Sequence, residues 1–255
     1  MAGKFSHRAC ALLFLFALSA RAAWSNSSPS SSEIEKATAA GVEHRRIIFG
    51  ENSTGNEATL DIALFSPKST VVRVIDNPDG DELAAAIRRV RGVAGVNGGY
   101  FDPENAPVGL VIADGKMIAP FRKAKLLSGV MVVTKGRVEL LRAAEYSSRK
   151  NATSAIQCGP LLVDDGKAVT GLNATRPARR TFVFTTGTDR CAIGCSSTVT
   201  LAGLGEILAA PELKVRRALN LDGGSSSAFW FSGENGVTSI AERKTVRNFV
   251  VIAPK

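Results

Sequence analysis

Histidine is almost missing from this chain, which has two among 255 residues. His7 lies in the N-terminal leader, so His44 is the one histidine left for a mature protein. Serine and cysteine hydrolases use a histidine as the base that activates their nucleophile. The sequence also has no G-x-S-x-G, H-E-x-x-H or G-x-x-x-x-G-K-[ST] motif. A serine hydrolase, a zincin and a P-loop ATPase are therefore all disfavoured.

Cysteine is equally scarce. Of four cysteines, Cys10 belongs to the leader, which leaves Cys158, Cys191 and Cys195. Export permits disulfides, so we expect one disulfide and one free thiol, with the pairing open. A zinc site is disfavoured because Cys191 and Cys195 have neither a second cysteine pair nor a histidine cluster to complete four ligands. We expect no metal and no other cofactor.

Long hydrophobic runs are absent, since none reaches the about 20 residues that a membrane-spanning helix needs. The run from Ala9 to Leu18 follows the basic residue Arg8, and Ala20 and Ala22 come next in an A-x-A arrangement. This is the layout of a secretory signal. We expect residues 1–23 to be removed, and the mature protein to be exported with no integral membrane span.

Positive charge exceeds negative charge modestly. Loss of Lys4, Arg8 and Arg21 with the leader lowers the formal net charge from +9 to +6. No aromatic-rich basic face and no helix-turn-helix pattern is present, so nucleic-acid binding is disfavoured. A mild positive excess favours a small anionic substrate or a polyanionic envelope polymer as the partner.

A serine-rich stretch follows the leader. Residues 24–32 have linker composition, and we expect a flexible linker over 24–45 followed by one domain over 46–255. Within the domain, alternation over 58–65 and β-branched residues over 71–75 predict strands, and Leu83, Ile87 and Val90 recur at helical spacing.

The second half of the chain consists of short apolar runs separated by turn residues. A second helix is predicted over 201–209, with Thr200 as its cap and Pro211 after its end. Hairpins are predicted at Asp114-Gly115, Lys135-Gly136 and Asp165-Gly166. With no repeat and no internal linker, the sequence predicts a single α+β domain with a mixed, mostly antiparallel sheet and a few short helices.

Two loops share one design: a buried strand, polar residues and two consecutive glycines. Asn97 and Asp102 flank Gly98 and Gly99, whereas Asn220 and Asp222 precede Gly223 and Gly224. Paired glycines let backbone N–H groups approach a phosphate or sugar oxygen. A tight turn or bulge is the better explanation of a single Gly-Gly pair. Two such loops at strand ends favour a site, and we expect them to meet in one pocket.

Several segments resemble the phosphodiester glycosidase family when they are taken together in order. They are Asn97-Gly98-Gly99-Tyr100-Phe101, Cys158-Gly159-Pro160-Leu161-Leu162, Arg180-Thr181 and Leu219-Asn220-Leu221-Asp222-Gly223-Gly224-Ser225-Ser226. The resemblance covers the chain from about Ala58 to its C-terminus. It implies hydrolysis of a sugar-1-phosphodiester, with release of the sugar and a phosphomonoester. The sequence departs from the family at Lys244, where arginine is typical.

Residue types suggest how such a site would work. Glycosidases normally use two carboxylates, and Asp102 and Asp222 are the natural pair. Phosphate is already a good leaving group, so neutralising its charge matters more than protonating it. Arg180 is the first candidate for this role. Arg179 is the alternative, because neighbouring side chains of a strand point to opposite faces.

The remaining candidates are predicted to bind substrate. They are Asn97, Gly98, Gly99, Asn220, Gly223, Gly224, Ser225 and Lys244. Several of the candidate residues could instead have a structural role. The aspartates could cap turns, and the serines could satisfy turn hydrogen bonds. Tyr100 and Phe101 are expected in the core. Two functions follow: an exported glycosidase acting on a sugar-1-phosphodiester or phosphate-linked envelope glycan, or a non-catalytic envelope module that binds an anionic glycan or exopolysaccharide.

Overall fold

The computed structural model describes residues 24, 27–51, 55–147 and 151–255, and the predicted leader lies outside these ranges. The described strands are β1 (Pro29–Lys36), β2 (Glu43–Gly50), β3 (Glu57–Phe65), β4 (Thr70–Asp76), β5 (Ala94–Asn97), β6 (Val111–Ala113), β7 (Lys116–Ala119), β8 (Gly129–Thr134), β9 (Arg137–Arg142), β10 (Ser154–Cys158), β11 (Leu161–Asp164), β12 (Lys167–Ala168), β13 (Ala178–Thr186), β14 (Cys191–Val199), β15 (Val215–Asn220), β16 (Phe229–Gly233), β17 (Gly236–Ile240) and β18 (Asn248–Pro254). The α-helices are α1 (Leu83–Arg89) and α2 (Leu201–Leu208), and single 3-10 turns occupy Ala143–Glu145, Pro211–Leu213 and Gly224–Ser226. In these ranges, no helix has the length and apolar character needed to cross a membrane.

The strands form three sheets, and every pairing between described strands is antiparallel. The largest has the order β1-β2-β3-β14-β13-β15-β11-β12, the second β7-β6-β10-β8-β9, and the third β17-β16-β5-β18-β4. The fold is therefore mainly β, and the predicted class of α+β describes it only loosely. Strand β5 lies at the centre of the third sheet, whereas β15 lies in the first.

One apolar core joins the three sheets. It combines Phe65 from β3, Ile156 from β10 and Phe229 from β16, each of them fully buried. Helix α2 covers the opposite face of the eight-stranded sheet through Leu204 and its neighbours, and α1 covers the opposite face of the third sheet through Ile87. Burial of these side chains supplies the main driving force for folding.

The local signals in the sequence are confirmed where they are specific. Helix α2 starts after Thr200, whose Oγ1 accepts a hydrogen bond from Gly203 N at 3.0 Å. Asp114-Gly115 and Asp165-Gly166 have positive φ at both residues, as a tight hairpin turn requires. The β8–β9 hairpin likewise turns at 135–136.

Composition predicts a flexible linker over 24–45, whereas residues 27–45 contain strand structure. They contain β1 and the start of β2, and the two pair from Pro29↔Phe49 to Lys36↔Glu43. Serines and charges are tolerated in β1 because it is an edge strand that exposes most of its residues. Glu35 also ties it to the third sheet, since its Oε1 accepts a hydrogen bond from Asn235 N at 2.9 Å.

The expectation of one disulfide is wrong, because Cys158, Cys191 and Cys195 are all free and buried. Two of them lie four residues apart on β14, a spacing of about 13 Å along an extended strand. A disulfide needs Cα atoms within about 7 Å. Burial raises the pKa of each thiol to about 12, so the cysteines behave as small apolar core residues.

Candidate functional site

The two diglycine loops meet, as the sequence predicts. They leave strands of different sheets, yet Asp222 N donates to Gly98 O at 2.9 Å. A second bond runs the other way, from Asn97 Nδ2 to Asp222 O at 2.8 Å. The pair of bonds fixes the backbone around Asp222 against the end of β5.

The Asn97 side chain connects the two loops by hydrogen bonds. It is 1% exposed, and its Oδ1 accepts from Thr181 Oγ1 at 2.6 Å and from Ala228 N at 3.0 Å. With its amide donating to Asp222 O, the side chain is fully used within the protein. The site role of Thr181 was not predicted, although it follows Arg180 in one of the recognised segments.

Asn248, at the start of β18, is a site residue that sequence reasoning missed. Gly98 N donates to its carbonyl at 2.8 Å, and Gly99 N donates to its Oδ1 at 2.7 Å. A Cβ on Gly98 would lie 2.0 Å from Asn248 Oδ1. The first glycine pair therefore permits close packing against Asn248, and its N–H groups do not face a ligand. The sequence signal that could have identified Asn248 is its position directly before the apolar run 249–252.

Asn220, the last residue of β15, holds the start of the second loop in place. Its Nδ2 donates to Gly159 O at 2.8 Å and lies 3.1 Å from the Tyr100 hydroxyl, which also donates to Gly159 O. Burial raises the pKa of Tyr100, so the hydroxyl remains a donor at neutral pH. Tyr100 thus packs partly against the core, as predicted, and also links the two loops.

Asp222 is the carboxylate that these contacts position. Its Oδ1 accepts from Gly223 N at 2.9 Å. Burial raises the pKa of Asp222, and the Ser226 hydroxyl, the Lys244 charge and the Gly223 N–H oppose that effect. The Ser226 hydroxyl is close enough to act on this pKa, but its Oγ forms no well-aligned hydrogen bond with the described residues. A carboxylate whose pKa is raised by burial suits proton transfer or charge stabilisation.

One cation acts on Asp222, and a second lies beside the next residue, Gly223. The Arg180 guanidinium lies beside Gly223, where an added Cβ would be 3.7 Å from its Nη1. Arg180 Nε donates to Val199 O at 3.2 Å, a second nitrogen donates to Arg176 O, and burial lowers the pKa of the group. The Lys244 charge is the one that acts on Asp222, and Lys244 Nζ lies 4.6 Å from the centroid of the Phe101 ring.

Asp102 lies in an open cleft next to this group. The cleft is lined by Phe101, Asp102, Pro103, Asn105, Lys244 and Thr245. Asp102 Oδ1 accepts from Ala106 N at 2.8 Å, which closes a turn, so one carboxylate oxygen is committed to the backbone. Lys244 is the link between the two carboxylates, because it lines this cleft and its charge acts on Asp222.

The outer side of the second loop faces open space. Gly224 has φ of 65°, and an added Cβ there would meet no atom within 4 Å. Ser225 is exposed, and its carbonyl accepts from Arg243 N at 2.8 Å, which holds the Lys244 segment against the loop. Arg179 Nη2 donates to Ala241 O at 3.4 Å in the same segment. Across the described ranges, no group of three or more potential metal ligands occurs.

Comparisons with known proteins point to one family. The model of the phosphodiester glycosidase family matches residues 91–253, more than half of the chain. No curated protein matches. The catalytic domain of zebrafish N-acetylglucosamine-1-phosphodiester alpha-N-acetylglucosaminidase is similar in structure, with a TM-score of 0.68 and 14% identity over 88% of each chain.

A Synechocystis protein is also similar in structure, with a TM-score of 0.66 and 13% identity over 84% of this chain. This chain spans 62% of that protein's length. Identities this low show a shared fold, whereas the family match extends over both diglycine loops. The chain belongs to the phosphodiester glycosidase family.

Proposed function

We propose that this chain is an exported hydrolase that cleaves the glycosidic bond of a sugar-1-phosphodiester, releasing a sugar and a phosphomonoester. One observation carries the proposal: both diglycine loops fix Asp222, the charge of Lys244 acts on its carboxylate, and the Arg180 guanidinium lies beside the next residue, Gly223. A carboxylate can stabilise positive charge at the anomeric carbon, and cations can neutralise the negative charge of the phosphate that leaves it. The name of the zebrafish relative supports N-acetylglucosamine as the first sugar to try.

The proposed reaction uses water as its second substrate. The bond from the anomeric carbon to the phosphate oxygen breaks, and its electron pair leaves with the phosphomonoester. The anomeric carbon gains oxygen from water, and the water proton is taken up by a carboxylate. Asp222 serves the anomeric centre, with Asp102 as the second carboxylate. Arg180 and Lys244 neutralise the leaving phosphate.

Three asparagines act in this proposal by positioning Asp222 and the first loop, namely Asn97, Asn220 and Asn248. Their side chains form hydrogen bonds to protein groups. The exposed side of the second loop offers the surface that a sugar can approach. Gly224 and Ser225 are the members of the predicted binding set that lie there.

Hydrolysis in H₂¹⁸O tests the reaction. The substrate is an N-acetylglucosamine-1-phosphodiester, and the products are analysed by mass spectrometry at short times. Cleavage at the anomeric carbon places ¹⁸O in the sugar, which is the expected result. Label in the phosphomonoester would mean attack at phosphorus and would refute the glycosidase. Saturable binding with no turnover over a panel of sugars would favour the non-catalytic module instead.

Lys244→Met is expected to move the acid limb of the pH profile of kcat/KM to higher pH. Ionised Asp222 is the active form, so the rate falls as pH drops through its pKa, which burial already raises. Lys244 lowers that pKa by its charge, and removing the charge raises it further. Lys123→Met, an exposed lysine in another loop, is the control and should leave the limb in place. An unmoved limb in Lys244→Met would contradict the assignment of this limb to Asp222.

A further inference from the structure

The first described residue, Trp24, is held in a socket on helix α2. Its side chain is 9% exposed and belongs to the apolar cluster beneath the helix. A Cβ on Gly203 would lie 2.9 Å from the indole Cδ1 and Nε1, so glycine is what allows the ring to approach. The Trp24 carbonyl accepts from Ser27 N at 3.1 Å and from Ser27 Oγ at 3.0 Å. The chain is thus anchored immediately after the predicted leader.

The backbone nitrogen of Trp24 is bound to an acid one helical turn further along α2. Trp24 N donates to Glu206 Oε2 at 2.8 Å. Burial raises the pKa of Glu206, and the charge of Glu51, itself 8% exposed, raises it further. Among the described groups acting on Glu206, the Trp24 N–H alone favours its charged form. A neutral amide is a weaker partner for the Glu206 carboxylate than a cation would be.

We propose that Trp24, Gly203, Glu206 and Glu51 form a socket for the new N-terminus, in which the α-ammonium group of the processed chain pairs with Glu206. The proposal rests on the proposed export with removal of the leader, and it does not depend on the proposed reaction. Hydrolysis of the peptide bond by a leader peptidase adds water across it. The leader keeps the carboxylate, and the new first residue keeps the amine, which takes up a proton. A cut after Ala23, at the end of the predicted leader, puts this charge on the Trp24 nitrogen that lies against Glu206.

The ion pair forms only after cleavage, since in the precursor the nitrogen is part of a peptide bond. The full chain, expressed with its leader in an exporting host, is the material for the test. Intact-mass analysis should find Trp24 as the first residue. An uncleaved chain, or one that begins elsewhere, overturns the proposal.

The pKa of the α-amine is then measured from the pH dependence of its acylation, followed by mass spectrometry of the N-terminal peptide. We expect it to lie above the roughly 7.7–8.0 of an unpaired α-amine, and to return to that range in urea. This comparison needs no substitution, so it does not depend on whether a variant folds. An α-amine that titrates alike in the native and unfolded protein overturns the proposal.

Glu206→Gln identifies the partner. It keeps an oxygen acceptor but removes the charge, so the amine pKa should fall toward the unpaired range while the indole stays buried. Glu212→Gln is the matched control, because Glu212 is exposed in the turn that follows α2. An amine pKa that is lowered equally by both substitutions, or by neither, contradicts a specific pair with Glu206. Hydrolase rates report separately on the proposed reaction.

Discussion

Asp222→Asn is expected to lower kcat/KM for a sugar-1-phosphodiester about 10³-fold, within the range for removal of an acid or base group. An amide cannot take a proton from water or stabilise positive charge at the anomeric carbon. The Asn oxygen can still accept the hydrogen bond from Gly223 N, so the loop should keep its shape. Steady-state kinetics on the purified protein measures the loss.

The same substitution is expected to leave the melting temperature at neutral pH unchanged or higher. Burial raises the folded-state pKa of Asp222, so folding favours its protonated form. That stabilisation is complete below the unfolded-state pKa of about 3.9 and is lost as pH rises through the folded-state pKa. The neutral amide avoids this loss, and the difference between variant and wild type should therefore shrink on acidification.

Asp165→Asn is the matched control, since Asp165 is exposed in the β11–β12 turn and asparagine tolerates its positive φ. It should change neither rate nor melting temperature. A folded Asp222→Asn protein with the wild-type rate would remove Asp222 from the mechanism. Lower activity accompanied by a large drop in melting temperature would instead identify Asp222 as a structural residue.

Much of the site was predictable because its signals are local. Two glycines after a buried strand require an unusual backbone or a close approach, and a polar residue beside them needs a partner. These rules identified Asn97 and Asp222 and predicted that their loops meet. The role of Arg180 comes from the segment that resembles the family and from the need for a cation opposite a phosphate, and it stays a prediction.

What the sequence concealed depends on partners that are distant along the chain. Asn248 lies 149 residues from Gly99, and only the pairing of β18 with β5 brings them together. Composition predicts a linker where β1 lies, because an edge strand needs no apolar alternation once a neighbour supplies its hydrogen bonds. The cysteine count likewise suggests a disulfide, whereas the three thiols are free, and Cys191 and Cys195 lie too far apart along β14 to be joined.

Asp102→Asn is expected to lower kcat/KM about 100-fold with no change in fold. Two explanations of Asp102 compete, because one of its oxygens closes a turn and its side chain also lines the cleft that contains Lys244. The substitution separates them. Asparagine keeps an oxygen for Ala106 N but has no negative charge, so a purely structural Asp102 would leave the rate intact.

Asp102→Ala removes both features and sets the scale for the turn. The alanine variant should lose about 1 kcal/mol of stability, a typical value for one lost hydrogen bond. Asp102→Asn should keep that hydrogen bond and its stability. If the alanine variant alone loses activity, Asp102 is a turn residue and Asp222 acts without it. If both variants lose activity equally, the carboxylate is what matters. In that case Asp102→Asn combined with Asp222→Asn should cost much less than the product of the two single losses, because carboxylates that serve one transition state act as a unit.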